Sequence, residues 1–202
     1  MKRYTQAEFD AFERDEKGIK YCPTGDYSQI ENFGRLCNFG KCCRFGKYCC
    51  FGALCNFGEC CSFGDRCCFE ECCSFGECCD FGECCSFGEC CSFGKWCSFG
   101  EYCSFGEQCI FGERCSFGER CNFEGIGPAK SGYPFAAWIG AGSREGSKTY
   151  FFNLEQGVYV RCGCFSGTLS EFREKVRETH GTDGLAGEYL AIADLVERKF
   201  AE

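Results

Sequence analysis

Large apolar residues recur at every sixth position of the chain between Phe33 and Phe123. Phe occupies all 16 of these positions, and the residue four places further on is Cys in every complete unit, from Cys37 to Cys121. The residue after Phe is Gly in all but two units, and the remaining positions hold mainly charged residues, Ser, Asn or Cys. A repeat of this length and period predicts a β-solenoid in which each unit supplies one short strand.

The repeat resembles the hexapeptide rule of the left-handed β-helix family. That rule places a large apolar residue first, a residue such as Gly after it, and a small residue four positions further on, and here these positions hold Phe, Gly and Cys. The resemblance implies three short strands per coil, hence about 18 residues per coil and about five coils between Phe33 and Phe123. A four-sided helix of pentapeptides is the rival architecture, but the period here is six throughout.

Stacked coils predict which side chains are buried. Phe and Cys should point inward, and Gly should serve the tight corner, where a side chain would clash or φ would be positive. Residues one coil apart should lie above one another at about 4.8 Å, the spacing between strands. We therefore expect one stack of rings, formed by Phe33, Phe51, Phe69, Phe87 and Phe105. Two more stacks should run beside it.

The two ends of the repeat are predicted to differ from its middle, as the ends of a solenoid must. Thr5 and Glu8 form a capping-box pattern, which predicts a short helix over residues 5–14 with Phe9 and Phe12 on one face. We expect a strand at residues 18–22, and we expect Tyr27 to open the first coil.

Residues 135–202 predict a small α+β domain, with strands at 135–141, 148–154 and 158–165 and helices at 169–179 and 185–200. The expected fold is therefore mainly β: a left-handed, three-sided parallel β-helix with a short N-terminal helical cap and a C-terminal α+β domain. The expected boundaries are a cap at 1–32, the β-helix at 33–124, a Gly/Pro linker at 125–134 and the α+β domain at 135–202.

Charge and composition limit the expected binding partners and the expected cellular location of the protein. The formal net charge of −8 argues against general binding to nucleic acid or to an anionic membrane. No apolar run approaches the length of a membrane span, and the first residues lack the apolar segment of a signal peptide. We therefore expect the protein in the cytoplasm, where thiols stay reduced.

The 26 cysteines fall into sets according to their position in the repeat. Fifteen occupy the inward position, where a free Cys packs as a small apolar residue. Eight others should face outward: Cys42, Cys60, Cys72, Cys78, Cys84 and Cys90 three places after Phe, and Cys50 and Cys68 directly before it. Cys42, Cys60 and Cys78 should stack on consecutive coils at a spacing that allows a disulfide. Three interpretations of the outward cysteines stay open: they are neutral surface positions, they form redox-labile pairs, or they bind a soft metal.

The position two places after Phe is a candidate binding surface because it is acidic in the middle of the repeat. Steps of one coil give two ladders, Asp65, Glu83, Glu101 and Glu119 in the first and Glu71, Glu89 and Glu107 in the second. Like charges at strand spacing are mildly destabilising, and we expect Arg66, Arg114 and Arg120 to relieve them. The ladders are open to three readings: a solubilising face, a site for cations, or a comb of carboxylates for a basic protein surface that normally holds nucleic acid.

Catalysis finds little support in the sequence. Acyltransferases of the left-handed β-helix class resemble one another in a His borne on the coil, and this repeat contains none. The single His, His180, is predicted at the end of a helix, where its charge would interact favourably with the helix dipole. A pairing of His180 with Cys162 or Cys164 stays open, since catalytic partners need not be neighbours in sequence. We expect no catalytic residue, no metal site and no cofactor.

Several motifs resemble those of phage- and prophage-encoded proteins of unassigned function. They are the opening segment 26–30, Cys-Ser-Phe-Gly units such as 91–94 and 97–100, and the tail segments 150–153, 162–165 and 178–181. The resemblance implies a phage origin and therefore the host cytoplasm. We expect a non-enzymatic accessory protein that binds and occludes a host macromolecule, such as a nucleic-acid-handling or defence enzyme, without contacting nucleic acid or membrane itself. The alternatives are a virion or assembly protein that oligomerises through its C-terminal domain, and a trimeric acyltransferase-like enzyme.

Overall fold

The computed structural model describes residues 1–112, 114–124, 127–128, 130, 135–139, 148–181 and 184–201. The chain forms two compact units, Met1–Gly127 and Pro128–Glu202. Within the described ranges, no helix combines the length and the apolar character needed to cross a lipid bilayer. Most of the predicted linker at 125–134 lies outside the described residues.

The first unit is a three-sided solenoid of parallel strands, as the repeat predicts. Each strand pairs with the strands one coil before and after it, so that Ser86 lies opposite Ser104 and Phe87 opposite Phe105. Each face carries six solenoid strands, and the unit therefore makes about six turns. Parallel pairing begins before the Phe repeat, because Lys20–Cys22 already pairs with Cys37–Phe39. The left hand of the coil stays a prediction.

The solenoid strands form one sheet on each face. Face 1 contains Lys20–Cys22, Cys37–Phe39, Asn56–Phe57, Ser74–Phe75, Ser92–Phe93 and Ile110–Phe111. Face 2 contains Asp26–Tyr27, Arg44–Phe45, Ser62–Phe63, Asp80–Phe81, Ser98–Phe99 and Ser116–Phe117. Face 3 contains Asn32–Gly34, Cys50–Phe51, Cys68–Phe69, Ser86–Phe87, Ser104–Phe105 and Asn122–Phe123. A further short strand is Gly127–Pro128.

Three columns of aromatic rings fill the coil, one from each face. Along a column the rings are parallel, with centroids 4.9 Å apart for Phe69 and Phe87. Within a layer the rings are nearly perpendicular. The ring centroids of Phe69 and Phe75 are 5.0 Å apart and their planes cross at 88°, and those of Phe75 and Phe81 are 5.0 Å apart with planes at 86°. Stacked and edge-to-face contacts are both favourable for aromatic rings. Three Phe side chains therefore fit into each layer because their planes cross.

The glycine after each Phe serves the contact between coils. A Cβ on Gly88 would lie 2.7 Å from the amide nitrogen of Glu71 in the preceding coil. Positive φ falls instead on the residue three places after Phe, where 15 residues from Leu36 to Arg120 have φ between 55° and 61°. Of the two roles expected for this Gly, the steric one is therefore confirmed. The positive φ expected there is wrong for every unit except that of Gly34, at 67°.

The inward cysteines are buried as predicted, with only Cys109 partly accessible. Their thiols also have a polar partner. In each coil from Cys55 onward, Sγ lies 3.3–3.6 Å from a backbone carbonyl oxygen 21 residues earlier, as for Cys103 and Gly82. The small inward residue thus fills space and also donates to the neighbouring coil.

The N-terminal helix covers Gln6–Asp10 and is shorter than expected. The capping box of Thr5 and Glu8 is present. At the end of this helix the buried Lys20 ammonium donates to the carbonyl oxygens of Phe9, at 2.8 Å, and Asp10, at 3.3 Å. Phe9 covers the N-terminal end of the ring columns, and its ring contacts the Phe33 ring edge-on with the centroids 5.2 Å apart. Tyr27 stacks on Phe45 at 5.6 Å and so occupies the Phe position of the first coil.

The second unit is a four-stranded antiparallel sheet followed by two helices. The strands are Phe135–Ile139, Lys148–Leu154, Gly157–Cys162 and Phe165–Thr168, and they pair in chain order. The single strand expected at 158–165 is wrong, because a turn at Gly163, with φ of 59°, folds it into a hairpin. The helices are Leu169–His180, capped by Thr168, and Gly184–Ala201. Their apolar sides pack with Phe151 and Val160 of the sheet in one core.

Candidate functional sites

The carboxylates that the sequence singles out lie at the corners of the coil, two residues after a buried Phe. Glu83, Glu101 and Glu119 are exposed and succeed one another on consecutive coils. The Phe rings two residues before them stack at 5.0 Å, which sets the spacing of the ladder. We call Asp65, Glu83, Glu101 and Glu119 the Glu83 column.

Asp65 differs from the rest of the Glu83 column. Its carboxylate lies 2.6 Å from the Lys47 ammonium one coil earlier, and it accepts a hydrogen bond from the amide of Glu83 at 3.2 Å. The contact with Lys47 is the main reason that the pKa of Asp65 is lowered. Within the described ranges, the carboxylates of Glu83, Glu101 and Glu119 form no ion pair. The unpaired negative charge therefore starts one coil after Asp65.

The second ladder runs along a different corner. Glu71, Glu89 and Glu107, the Glu89 column, are exposed at the corner between face 3 and face 1, whereas the Glu83 column lies between face 2 and face 3. The structure therefore brings the members of each column together but keeps the two columns apart across face 3. A partner that contacts both would have to cover the whole of that face.

The expected relief by neighbouring arginines is seen at Asp65, whose pKa Arg66 helps to lower, and both Arg66 and Arg120 also contact a tyrosine ring. The Arg66 guanidinium lies over the Tyr48 ring, 5.7 Å from its centroid, and donates to the Tyr48 hydroxyl at 3.4 Å. Arg120 lies in the same way 5.6 Å from the centroid of the Tyr102 ring and donates to the Tyr102 hydroxyl at 3.2 Å. Both arginines occupy the third position after Phe, and each extends along the axis towards its counterpart in the preceding coil. Arg66 still contributes to the lowered pKa of Asp65, but less than Lys47.

Exposed aromatic residues were not part of the predicted surface. Trp96 and Tyr102 are 49% and 50% exposed, and Tyr102 directly follows Glu101 at the corner of the Glu83 column. Partly exposed aromatic side chains next to charged groups are typical of the central residues of protein interfaces. Their position in the repeat could have revealed them, since the third residue after Phe always faces outward.

The second unit contains a cavity of about 330 Å³. Aromatic and aliphatic side chains form much of its wall, and polar groups from the hairpin and both helices complete it. Its lining residues are Cys162, Gly163, Cys164, Phe165, Phe172, Lys175, Val176, Thr179, His180 and Tyr189. The structure thus brings together His180, Cys162 and Cys164, the three residues whose pairing the sequence left open.

Several contacts orient the polar side of this cavity. The Thr149 hydroxyl donates to the Cys162 sulfur at 3.1 Å, and the Tyr189 hydroxyl lies 3.9 Å from the same sulfur. The His180 ring lies 5.7 Å from the Tyr189 ring, at the end of its helix as predicted. A thiol, an imidazole and a phenol therefore surround one small space, a combination suited to holding a small molecule with a polar end.

Comparisons with known proteins give no relative. No family model matches the chain, and no curated protein and no solved structure matches it either. Among the described residues, no group of three or more His, Cys, Asp or Glu is placed to hold a metal ion.

Proposed function

We propose that this chain is a non-enzymatic binding protein whose acidic coils occupy a basic protein surface that otherwise holds nucleic acid. The phage resemblance of its motifs supports an accessory protein that occludes a host nucleic-acid-handling or defence enzyme in the host cytoplasm. The exposed carboxylates of the Glu83 and Glu89 columns are the groups that would meet the partner.

The observation that carries this proposal is the linear charge density of the coils. Residues 67–102 form the two coils beyond the paired carboxylates and hold seven acidic and one basic side chain. With a rise of 4.9–5.0 Å per coil, this corresponds to one net negative charge per about 1.7 Å, which equals the value for duplex DNA. Over these two coils, the solenoid therefore presents a basic cleft with a formal charge density similar to that of a duplex.

Charge complementarity mainly sets the rate of encounter and the choice of partner. It also makes binding sensitive to salt, since exposed charges are screened beyond about 8 Å at physiological ionic strength. The charge is also unevenly distributed along the solenoid, since residues 33–56 hold four basic and no acidic side chains. This difference should orient the chain relative to a basic partner. A basic cleft should therefore engage the later coils first.

The test is capture of proteins from a bacterial lysate by the immobilised full chain, followed by elution with duplex DNA. We expect the captured proteins to elute with duplex DNA and with raised salt, and the E83K/E101K double variant to lose them. The matched control is E174K/E188K, which makes the same change in net charge at exposed positions of the second unit. Capture that resists DNA and survives in E83K/E101K would overturn the proposal.

A second candidate function, small-molecule binding, is favoured by the cavity in the second unit. Its volume lies within the range of small-molecule sites, about 300–1,000 Å³, and its wall combines aromatic rings with a few polar groups. Ligand-observed NMR with a set of aromatic acids, on the chain and on a V176W variant that fills the cavity, tests this candidate. Equal binding by both proteins, with unchanged circular dichroism, would contradict it.

A further inference from the structure

The eight outward cysteines of the coils do not lie at random on the surface. All are exposed, and seven of them fall into columns in which successive thiols are one coil apart. The columns are Cys42, Cys60 and Cys78; Cys72 and Cys90; and Cys50 and Cys68. Cys84 alone has no thiol one coil before or after it, because those positions hold Arg66 and Tyr102.

Backbone hydrogen bonds hold the members of each column side by side. The Cys42 amide donates to the carbonyl of Glu59, the residue before Cys60, at 2.8 Å. The same bond joins Cys60 to Glu77 and Cys72 to Glu89, each at 2.9 Å. Cys50 and Cys68 are direct partners in the sheet of face 3, beside rings that stack at 4.8 Å.

This spacing suits a disulfide, whose Cα atoms are usually about 4.4–6.8 Å apart. The thiols also influence one another. The pKa of Cys60 is raised, first by desolvation and then by Cys42 and Cys78, and that of Cys72 is raised by desolvation and by Cys90. Desolvation and the neighbouring Cys68 raise the pKa of Cys50 in the same way.

We propose that these three columns are oxidation sites at which a peroxide joins thiols of neighbouring coils into disulfides within one chain. One thiolate attacks hydrogen peroxide, its O–O bond breaks, and a sulfenic acid forms while the departing hydroxide takes a proton from solvent and leaves as water. The second thiolate attacks the sulfenic sulfur, the S–S bond forms, and hydroxide leaves as a second water after taking a proton. Two electrons pass from the two thiols to the peroxide.

Each disulfide closes a loop of one coil and so staples adjacent coils from outside. Such a link stabilises mainly by restricting the unfolded chain. The inward cysteines are protected from the same reaction by burial, and Cys84 provides a matched control on the surface. It has the same exposure, a φ of 57° and the same backbone bond, to Glu101 at 2.8 Å.

The test treats the full chain with hydrogen peroxide, blocks the remaining thiols with iodoacetamide, and maps the disulfides by mass spectrometry without reduction. We expect Cys50–Cys68, Cys72–Cys90, and either Cys42–Cys60 or Cys60–Cys78, with Cys84 in no disulfide within the chain. Thermal unfolding of the oxidised chain should occur at a higher temperature, and dithiothreitol should reverse the shift.

The C60S variant sharpens the test. Cys42 and Cys78 are two coils apart, about 10 Å, which is beyond the reach of a disulfide, so C60S should lose every disulfide of that column. The other two columns should be unaffected, and the C78S variant should keep Cys42–Cys60. A Cys42–Cys78 link in C60S, oxidation of Cys84 into disulfides as often as the others, or disulfides only between chains would overturn the proposal.

Discussion

The thiol of Cys103 lies 3.4 Å from the carbonyl oxygen of Gly82, 21 residues earlier in the chain. This contact joins the inward wall of one coil to the corner of the coil before it. Cys is therefore more than a small filler between the rings. It satisfies part of a backbone group that the close packing of the coils removes from water.

Replacing Cys103 by Ala should therefore destabilise the solenoid. The change leaves a small void and removes a donor from the Gly82 carbonyl, and we expect a loss of about 1–3 kcal/mol in the free energy of unfolding. Urea denaturation followed by circular dichroism measures it. The control is C84A on the adjacent outward surface, with an expected change within about 0.5 kcal/mol. Equal losses in the two variants would show that the inward and outward assignment is incorrect.

Replacing Phe87 by Ala should cost about 3–5 kcal/mol, the usual range for a buried Phe. Phe87 stacks between Phe69 at 4.9 Å and Phe105 at 5.0 Å, and its edge contacts reach both other columns. Chemical denaturation again gives the free energy. F87L, which keeps most of the apolar volume, should lose distinctly less. If both variants lost the same amount, ring geometry rather than volume would dominate the core.

Deleting residues 73–90 should leave a folded solenoid that is one coil shorter. The deletion joins Cys72 to Cys91 and keeps every later Phe in its column, since each coil contacts only its neighbours. Deleting 73–87 instead places Gly88 after Cys72 and breaks the register. Circular dichroism and thermal unfolding should show cooperative unfolding for the first deletion only. Equal tolerance of both deletions would contradict the three-sided coil.

The pair of Lys47 and Asp65 should give the solenoid an acid-sensitive contribution to stability. The folded pKa of Asp65 is lowered, mainly by Lys47, so the contribution is present above the unfolded pKa of about 3.9 and is lost as pH falls through the folded value. D65N should therefore be less stable than the parent chain at pH 7, by up to about 1 kcal/mol for such an exposed pair.

At a pH below the folded pKa of Asp65, the parent chain and D65N should be equally stable. Urea midpoints measured between neutral and acidic pH give the comparison. The control is E101Q, which removes an unpaired carboxylate of the same column and should show no loss at neutral pH. A difference between parent and D65N that persisted unchanged in acid would exclude the ion pair as its cause.

The three faces of the coil were expected from the resemblance to the left-handed β-helix family, and the sequence by itself determined the period of six and the inward or outward direction of each repeat position. These properties are local, because every unit repeats the same six-residue pattern and stacks on a copy of itself. The ring columns, the buried cysteines and the carboxylate ladders therefore all lie where the period places them. The three-ring layer was also predictable in composition, whereas the crossed planes that make it fit were not.

Only the tertiary structure decided the contacts that the repeat does not encode. The Lys20 ammonium donates to the Phe9 carbonyl oxygen at the end of the first helix, and the Arg66 guanidinium lies over the Tyr48 ring. In the second unit, a hairpin at Gly163 and the end of a helix bring Cys162 and His180 to one cavity. Such contacts join residues that no periodic rule relates, and they depend on how whole elements pack. Their physical basis is the competition among several partners for one side chain, which is settled only when the chain is folded.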